Sequence, residues 1–347
     1  MKKSYRPGVY SRYDIISSPR SRQERYAFYC GAAILQQGKH LPAGGVIQLR
    51  SLAELREYFS EQGAGRDFCE VCRILLEGGV AGVYAVPLTT DGSEPTTQAY
   101  SDAIQKLCDI KRSGVMLCGS CEEGVLQLLC QKVQEASERQ RERIGVGAIA
   151  QNTAVEAAKR MNSERMVLCA QRSQGSALTA AAAVAAMLAT AEPDESFCGA
   201  KLGLEAVDSL SEEQVEQLLG GGVTALEENA GAIECIRCVT TRTMTAGEED
   251  RTFASVNTVL MIDDIIRSVR TRLEGMLRGR GVKFSPDSIS SQVAVVLDEK
   301  KQQGMLVDFQ PPVVYPEESD PTVCVVELEF HLASVLSQIY LTAHITI

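Results

Sequence analysis

The stretch VMLCGSCEEGVLQLLCQKVQEASERQRERIGVGAI, residues 115–149, decides the fold class. Residues 115–118 and 144–149 are short apolar runs bounded by polar or glycine residues. Residues 122–139 between them read as one long helix. Two strands joined by a crossover helix lie parallel in one sheet, because only antiparallel neighbours can be joined by a tight hairpin. The pattern repeats outward on both sides. Residues 83–86 form an apolar strand and 100–108 a helix; 154–162 read as a helix and 166–170 as a strand. Residues 177–190 are an alanine-dominated helix with the look of a buried element. This alternation predicts an α/β fold, α+β when the whole chain is counted, in which a mixed or parallel sheet is flanked by helices.

Before that unit, residues 26–35 and 46–49 read as strands separated by a glycine-bounded loop. Ser51 caps a helix over 52–61, with Glu54 placed to close a capping box. Residues 68–77 form a second helix stopped by Gly78 and Gly79. After it, Ser211 opens a helix that Gly220, Gly221 and Gly222 end, and residues 223–227 and 233–241 read as a strand pair. Residues 252–277 form a long helix, and 293–297 and 305–310 read as strands. Pro311, Pro312, Pro316 and Pro321, interleaved with acidic residues, read as an extended linker. The resulting organisation is an N-terminal arm and linker at 1–24, an α/β domain at 25–245, a C-terminal α+β domain at 246–332, and a strand arm at 333–347.

The two ends are extended. Val9, Ser11, Tyr13 and Ile15 alternate with Tyr10, Arg12 and Asp14. Near the other end, Cys324, Val326, Leu328, Phe330 and Leu332 share a face at period two. Ile339, Leu341, Ala343, Ile345 and Ile347 then alternate with polar residues to the last position. An apolar strand at a chain end invites aggregation unless it is paired, so it is expected to add to a sheet of its own or a neighbouring copy.

Hydrophobic residues make up 45% of the chain and charged residues 23%, ordinary globular usage that predicts a folded chain. Net charge is −10, which makes general binding to nucleic acid or to anionic membrane a poor expectation. Up to Arg25 the basic residues are Lys2, Lys3, Arg6, Arg12, Arg20, Arg22 and Arg25, against Asp14 and Glu24, so a basic end precedes an acidic body. No signal-like apolar region follows Lys2 and Lys3, and synthesis in the cytoplasm is expected. There are 12 cysteines, with CxxC spacing at Cys69/Cys72, Cys118/Cys121 and Cys235/Cys238. Zinc would need two such pairs brought together, yet the first pair sits in a helical run and the last in a strand, where three-residue spacing points to opposite faces. Packed structural thiols are the expectation, with no metal and no cofactor.

Catalytic motifs are thin. Gly145-Val146-Gly147 falls inside an apolar strand rather than after one and fails the context of a dinucleotide turn. Ser176 follows Gly175, but no Gly-x-Ser-x-Gly is present. The histidines are His40, His331 and His344, one in a loop and two in C-terminal strands. Asp263 and Asp264 are adjacent on the long helix, where a solvated face is expected. An enzyme is therefore not expected.

Several segments in order resemble the sheath protein of contractile phage tails, of tail-like bacteriocins and of related injection machines. Arg6-Pro7-Gly8-Val9-Tyr10 is similar to the family's N-terminal arm motif. Residues 41–65, the Gly78-Gly79 element, residues 141–147 and the alanine helix follow in the family's order. So do Gly221-Gly222-Val223, Gly231-Ala232-Ile233, Val239-Thr240-Thr241-Arg242, the long helix and Ile339-Tyr340-Leu341-Thr342. Only residues 89–97 occupy the place where larger sheath proteins carry an inserted domain. The resemblance implies a subunit that stacks on copies of itself around an inner tube, between a baseplate and a tail terminator protein. It would be assembled in the bacterial cytoplasm and released with a phage tail or tail-like particle. It implies that Val9, Tyr10, Tyr13 and Ile15, and Ile339, Leu341, Ile345 and Ile347, are strand arms for neighbours. It also makes Arg267, Arg270, Arg278 and Arg280 candidates for contact with an acidic tube. A non-contractile self-assembling shell protein and an α/β-fold enzyme are the competing readings.

Overall fold

The structure is a computed structural model that describes residues 25–277, 285–319 and 323–334. Strands β1 (Tyr26–Ala32), β2 (Ile47–Leu49), β3 (Val83–Thr89), β4 (Gly114–Cys118), β5 (Arg143–Ala148) and β6 (Met166–Cys169) form a six-stranded sheet in the order β2-β3-β1-β4-β5-β6. Every pair is parallel except β2 with β3. The connecting helices are α1 (Leu52–Tyr58), α2 (Arg66–Glu77), α3 (Thr97–Cys108), α4 (Glu123–Glu138), α5 (Ala154–Met161) and α6 (Ala177–Thr190). Side-chain alternation sorts the core into two layers. Ala27, Tyr29, Val115 and Leu117 pack with α2 and α6 on one face; Phe28, Cys30, Met116 and Cys118 pack with α3, α4 and α5 on the other. Because α6 is wedged between the sheet and α2, its alanines are buried nearly all round, as the absence of a polar stripe in its sequence requires.

Local signals explain the boundaries. Ser51 Oγ accepts the Glu54 N–H at 3.2 Å, but the Glu54 carboxylate accepts the Arg50 N–H at 2.7 Å, so the box closes one residue earlier than expected and α1 ends at Tyr58. Gln214 does complete a capping box with Ser211 at the start of α7 (Glu212–Gly220). Asn162 ends α5 in the left-handed region, with φ 38°.

A second, antiparallel sheet of β7 (Ala200–Leu202), β8 (Ala225–Asn229) and β9 (Ala232–Arg237) has the order β7-β9-β8. Its register skips Ile236, since Ala225 faces Arg237 and Leu226 faces Cys235. That bulge resets the alternation. Cys235 and Cys238 therefore enter the same core rather than opposite faces, and their thiols are in contact. The hydrogen bond with Cys238, together with burial, pushes the Cys235 thiol well up, which marks it as unreactive packing. Among the described residues no three His, Cys, Asp or Glu side chains are grouped to hold a metal ion. The hairpin β10 (Met244–Thr245) and β11 (Glu248–Glu249) leads into α8 (Val256–Leu277) and α9 (Pro286–Gln302).

The C-terminal unit departs from expectation in two places. Residues 293–297 are not a strand but the middle of α9, with Val293, Val296 and Leu297 buried at helical spacing. The proline-rich segment is not a bare linker. It contains β13 (Val313–Pro316), which pairs with β14 (Cys324–Glu327), while β12 (Leu306–Phe309) pairs with β15 (Phe330–Leu332). The bond from Gln310 N–H to Glu329 O at 2.9 Å joins the two ladders into one bent hairpin.

Candidate assembly surface

Helix α8 belongs to both cores. Val256, Val259 and Leu260 pack in the main α/β core, whereas Ile265 and Val269 pack with Val293, Val296, Leu297 and Leu306 in the smaller one. Between these halves lie Asp263 and Asp264, only 5% and 7% exposed, so the expectation of a solvated face fails. Adjacent helical residues diverge by about 100°, and the two carboxylates reach in different directions. Asp263 accepts two bonds from Arg165, both 2.7 Å, tying α8 to the α/β body. Asp264 accepts a bond from Lys300 of α9. One turn on, Arg270 Nη2 donates to Glu142 Oε1 at 2.7 Å, and Arg267 Nε lies 3.8 Å from Glu142 Oε2.

Burial pushes the Glu142 carboxyl up, but the bond from Arg270 and the charge of Arg267 more than reverse this and hold it below the usual carboxylate range. A depressed folded-state value means the unfolded chain binds the proton more tightly. The contribution is present above the ordinary carboxylate value and is lost as pH falls through the lowered one. Acid unfolding of Glu142→Gln should therefore show a shallower stability loss below about pH 4.5 than wild type. Parallel curves in urea melts across that range would disprove it.

The hairpin carries the surface of interest. Cys324, Val326, Leu328, Phe330 and Leu332 alternate along the strand and are half-buried, the last four against the small core. The opposite face is apolar in places and open, with Val307 61% and Val313 55% exposed. A two-stranded ladder is marginal alone and gains stability from added strands.

Its two edges are unequal. Val313 faces Glu327 and Tyr315 faces Val325 in the ladder, with Glu317 N–H bonded to Val323 O. By pleat alternation the backbone groups of Pro312, Val314 and Pro316 then point outward on the first strand. Two of those residues have no N–H, and the Pro312 carbonyl already accepts from Ser290 Oγ of α9 at 2.8 Å. The first edge is closed to strand addition over residues 312–316. On the second strand the outward groups belong to Cys324, Val326, Leu328, Phe330 and Leu332, all with N–H groups and no proline among them. Among the described residues nothing pairs with that edge, and it ends where residues 333–347 begin.

Of the residues singled out from sequence, Val9, Tyr10, Tyr13, Ile15, Ile339, Leu341, Ile345, Ile347, Arg278 and Arg280 lie outside the described residues. Arg267 and Arg270 are placed beside Glu142 rather than on an open face. The closed and open edges were missed. The signal was available in the spacing of Pro312 and Pro316, four residues apart and so on one side of a strand.

The phage tail sheath C-terminal domain family matches residues 248–346. No curated protein matches the chain. Among solved structures, the helical sheath of the anti-feeding prophage in its contracted state aligns with TM-score 0.73 at 11% identity, covering 99% of each chain. A sheath tail protein from Desulfitobacterium hafniense aligns at TM-score 0.68 and 10% identity, over 94% of this chain and 100% of that one. The sheath of an extracellular contractile injection system, also contracted, aligns at 0.64 and 12% over 100% and 99%. Residues 248–346 are thus similar to the phage tail sheath C-terminal domain, and the chain has the fold of contractile-sheath subunits.

Proposed function

We propose that the chain is the structural subunit of a contractile tail sheath. It polymerises around an inner tube, with baseplate and terminator proteins at the ends, and drives the tube through a target envelope on contraction. It acts as a scaffold and not as an enzyme, and it is assembled in the bacterial cytoplasm before release with the particle. The observation that carries this reading is the hairpin with one closed and one open edge, followed directly by an alternating apolar segment. Strand addition at residues 324–332 by an arm of a neighbouring copy completes the small core. Because prolines obstruct the other edge at residues 312–316, the second arm meets the first rather than the opposite side of the hairpin. Links of this kind hold neighbours while subunits rotate, and head-to-tail contacts extend them into a helix. Arg267 and Arg270 are engaged with Glu142, so contact with an acidic tube falls to Arg278 and Arg280.

Electron microscopy of the protein expressed alone tests the reading. Hollow ridged cylinders are expected; closed shells or monodisperse monomers would overturn it. A finer test uses proline. The Val326 N–H points outward, so Val326→Pro should leave a folded monomer but weaken polymers, removing one strand bond worth roughly 1 kcal/mol and adding a clash with the incoming strand. Val325→Pro removes an inward bond and should instead destabilise the hairpin itself. Equal polymer yield from Val326→Pro and wild type would count against the open edge as the docking site.

A further inference from the structure

We propose that an acidic groove at one end of the α/β body docks a basic cluster at the other end of a second copy. The inference rests on the self-assembly reading but concerns a contact separate from the strand arms.

The groove, of about 600 Å3, lies between α7 and the outer edge of β8. At Leu226 that edge is already covered, because the Gln171 amide accepts its N–H at 2.7 Å and donates to its carbonyl at 2.8 Å. Beyond Leu226 the strand is exposed and turns acidic. Glu212 and Glu216 of α7 face the groove from one wall, and Glu227 and Glu228 from the other. All four are exposed and none has an ion-pair partner among the described residues. Arg237 and Arg251 also line the groove, but Arg251 is held by Glu249 at 2.7 Å, so carboxylates remain in excess. Val215, Leu219 and Ile236 give the floor an apolar component suited to the stems of long basic side chains.

The complementary cluster is Lys106, Lys111, Arg112 and Arg139. Each is exposed, and none is paired with a described carboxylate. They gather where α3 and α4 end, a position that favours cations by the helix dipole. Loop 109–113 leads into β4 and loop 139–142 into β5, so the cluster lies at the amino ends of the parallel strands. The groove lies past the carboxyl end of β6, where Asp208 N–H bonds Arg172 O at 3.0 Å. Since β4, β5 and β6 are parallel, the two charged features occupy opposite ends of one sheet. Among the described residues, opposite charges on opposite ends cannot satisfy one another within the subunit. They are satisfied by a heterologous head-to-tail contact, the kind that propagates into an open assembly.

Charge exchange in the full chain tests the contact. Glu212→Lys with Glu216→Lys, and separately Lys111→Glu with Arg112→Glu, should each raise the critical concentration for polymerisation by about tenfold, as juxtaposed like charges demand. Combining all four substitutions, or mixing the two double variants, should restore most of it, which misfolded chains could not do. Glu212→Gln with Glu216→Gln should fall between, and added salt should narrow all differences. Polymers indifferent to the reversals, or no recovery on combination, would overturn the contact alone. Wild-type protein that stays monomeric at every concentration would overturn the self-assembly reading and this contact with it.

Discussion

Removing residues 334–347 should abolish polymers while leaving a folded monomer. The small core of Ile265, Val269, Val293, Val296, Leu297 and Leu306 lies entirely before the cut, and the Ala333 N–H still bonds Met305 O to close the hairpin. On the proposed reading, what is lost is the segment that adds to a neighbour. Outward backbone groups run from Cys324 to Leu332, and an added strand makes about five hydrogen bonds there at roughly 1 kcal/mol each. A loss of about 5 kcal/mol lowers an association constant between three and four orders of magnitude. Every link in the lattice is weakened at once, so cylinders disappear rather than shorten. Removing residues 1–16 should act more gently and in a salt-sensitive manner. That arm has a weaker alternation and carries Lys2, Lys3, Arg6 and Arg12 against Asp14, so charge contributes more of its attachment. Sedimentation and microscopy of both truncations decide the matter; normal cylinders from the first would end the strand-exchange reading.

The main sheet was legible because from β3 to β6 each strand is short, apolar and separated from the next by a helix. Periodicity states such a unit twice, once in the strands and once in the crossover. The C-terminal unit was less legible for the opposite reason. Val293, Val295 and Val296 are β-formers by composition, and the five apolar residues 293–297 in a run fit a strand or a buried helix turn equally well. Ser285 and Pro286 at the helix start were the arbiters, a cap and a first-turn proline that fix the segment as α9. Bulges are invisible to a period-two reading, which is why Cys235 and Cys238 were sent to opposite faces. Arg143 shows the limit most clearly. It stands where alternation demands an apolar side chain and is 1% exposed. Its guanidinium lies 3.7 Å above the Phe28 ring and donates to Ile110 O at 2.6 Å, and burial lowers its pKa to about 10. Nothing in its neighbours along the chain marks that environment, which the converging ends of α3 and α4 create.

Asp263→Ala should be the most damaging single substitution at the junction of the two cores. Its side chain and that of Arg165 are 7% and 14% exposed, and the pair is bidentate. Breaking such a pair leaves a guanidinium buried without its counterion, at a cost of about 3–5 kcal/mol. The pair itself is a different matter. Two charges taken out of water regain by attraction roughly what they lost in hydration, so Arg165→Met combined with Asp263→Leu should recover most of the stability. Urea melts of the two single variants and the double variant measure the difference. Additive losses in the double variant would show that the residues contribute separately, through packing rather than as a pair. The consequence for assembly follows from where the pair sits. Asp263 fixes α8 to the body and Asp264 fixes it to α9, so the angle between the body and the hairpin is set at this point of the helix. Strand links transmit motion between neighbours only if each subunit turns as one piece. The apolar double variant should therefore be stable as a monomer yet form polymers of less regular helical twist, because packing without directed bonds defines orientation less sharply than a bidentate pair does. Cylinders of wild-type regularity from that variant would mean that the hydrophobic seam of α8 alone sets the angle.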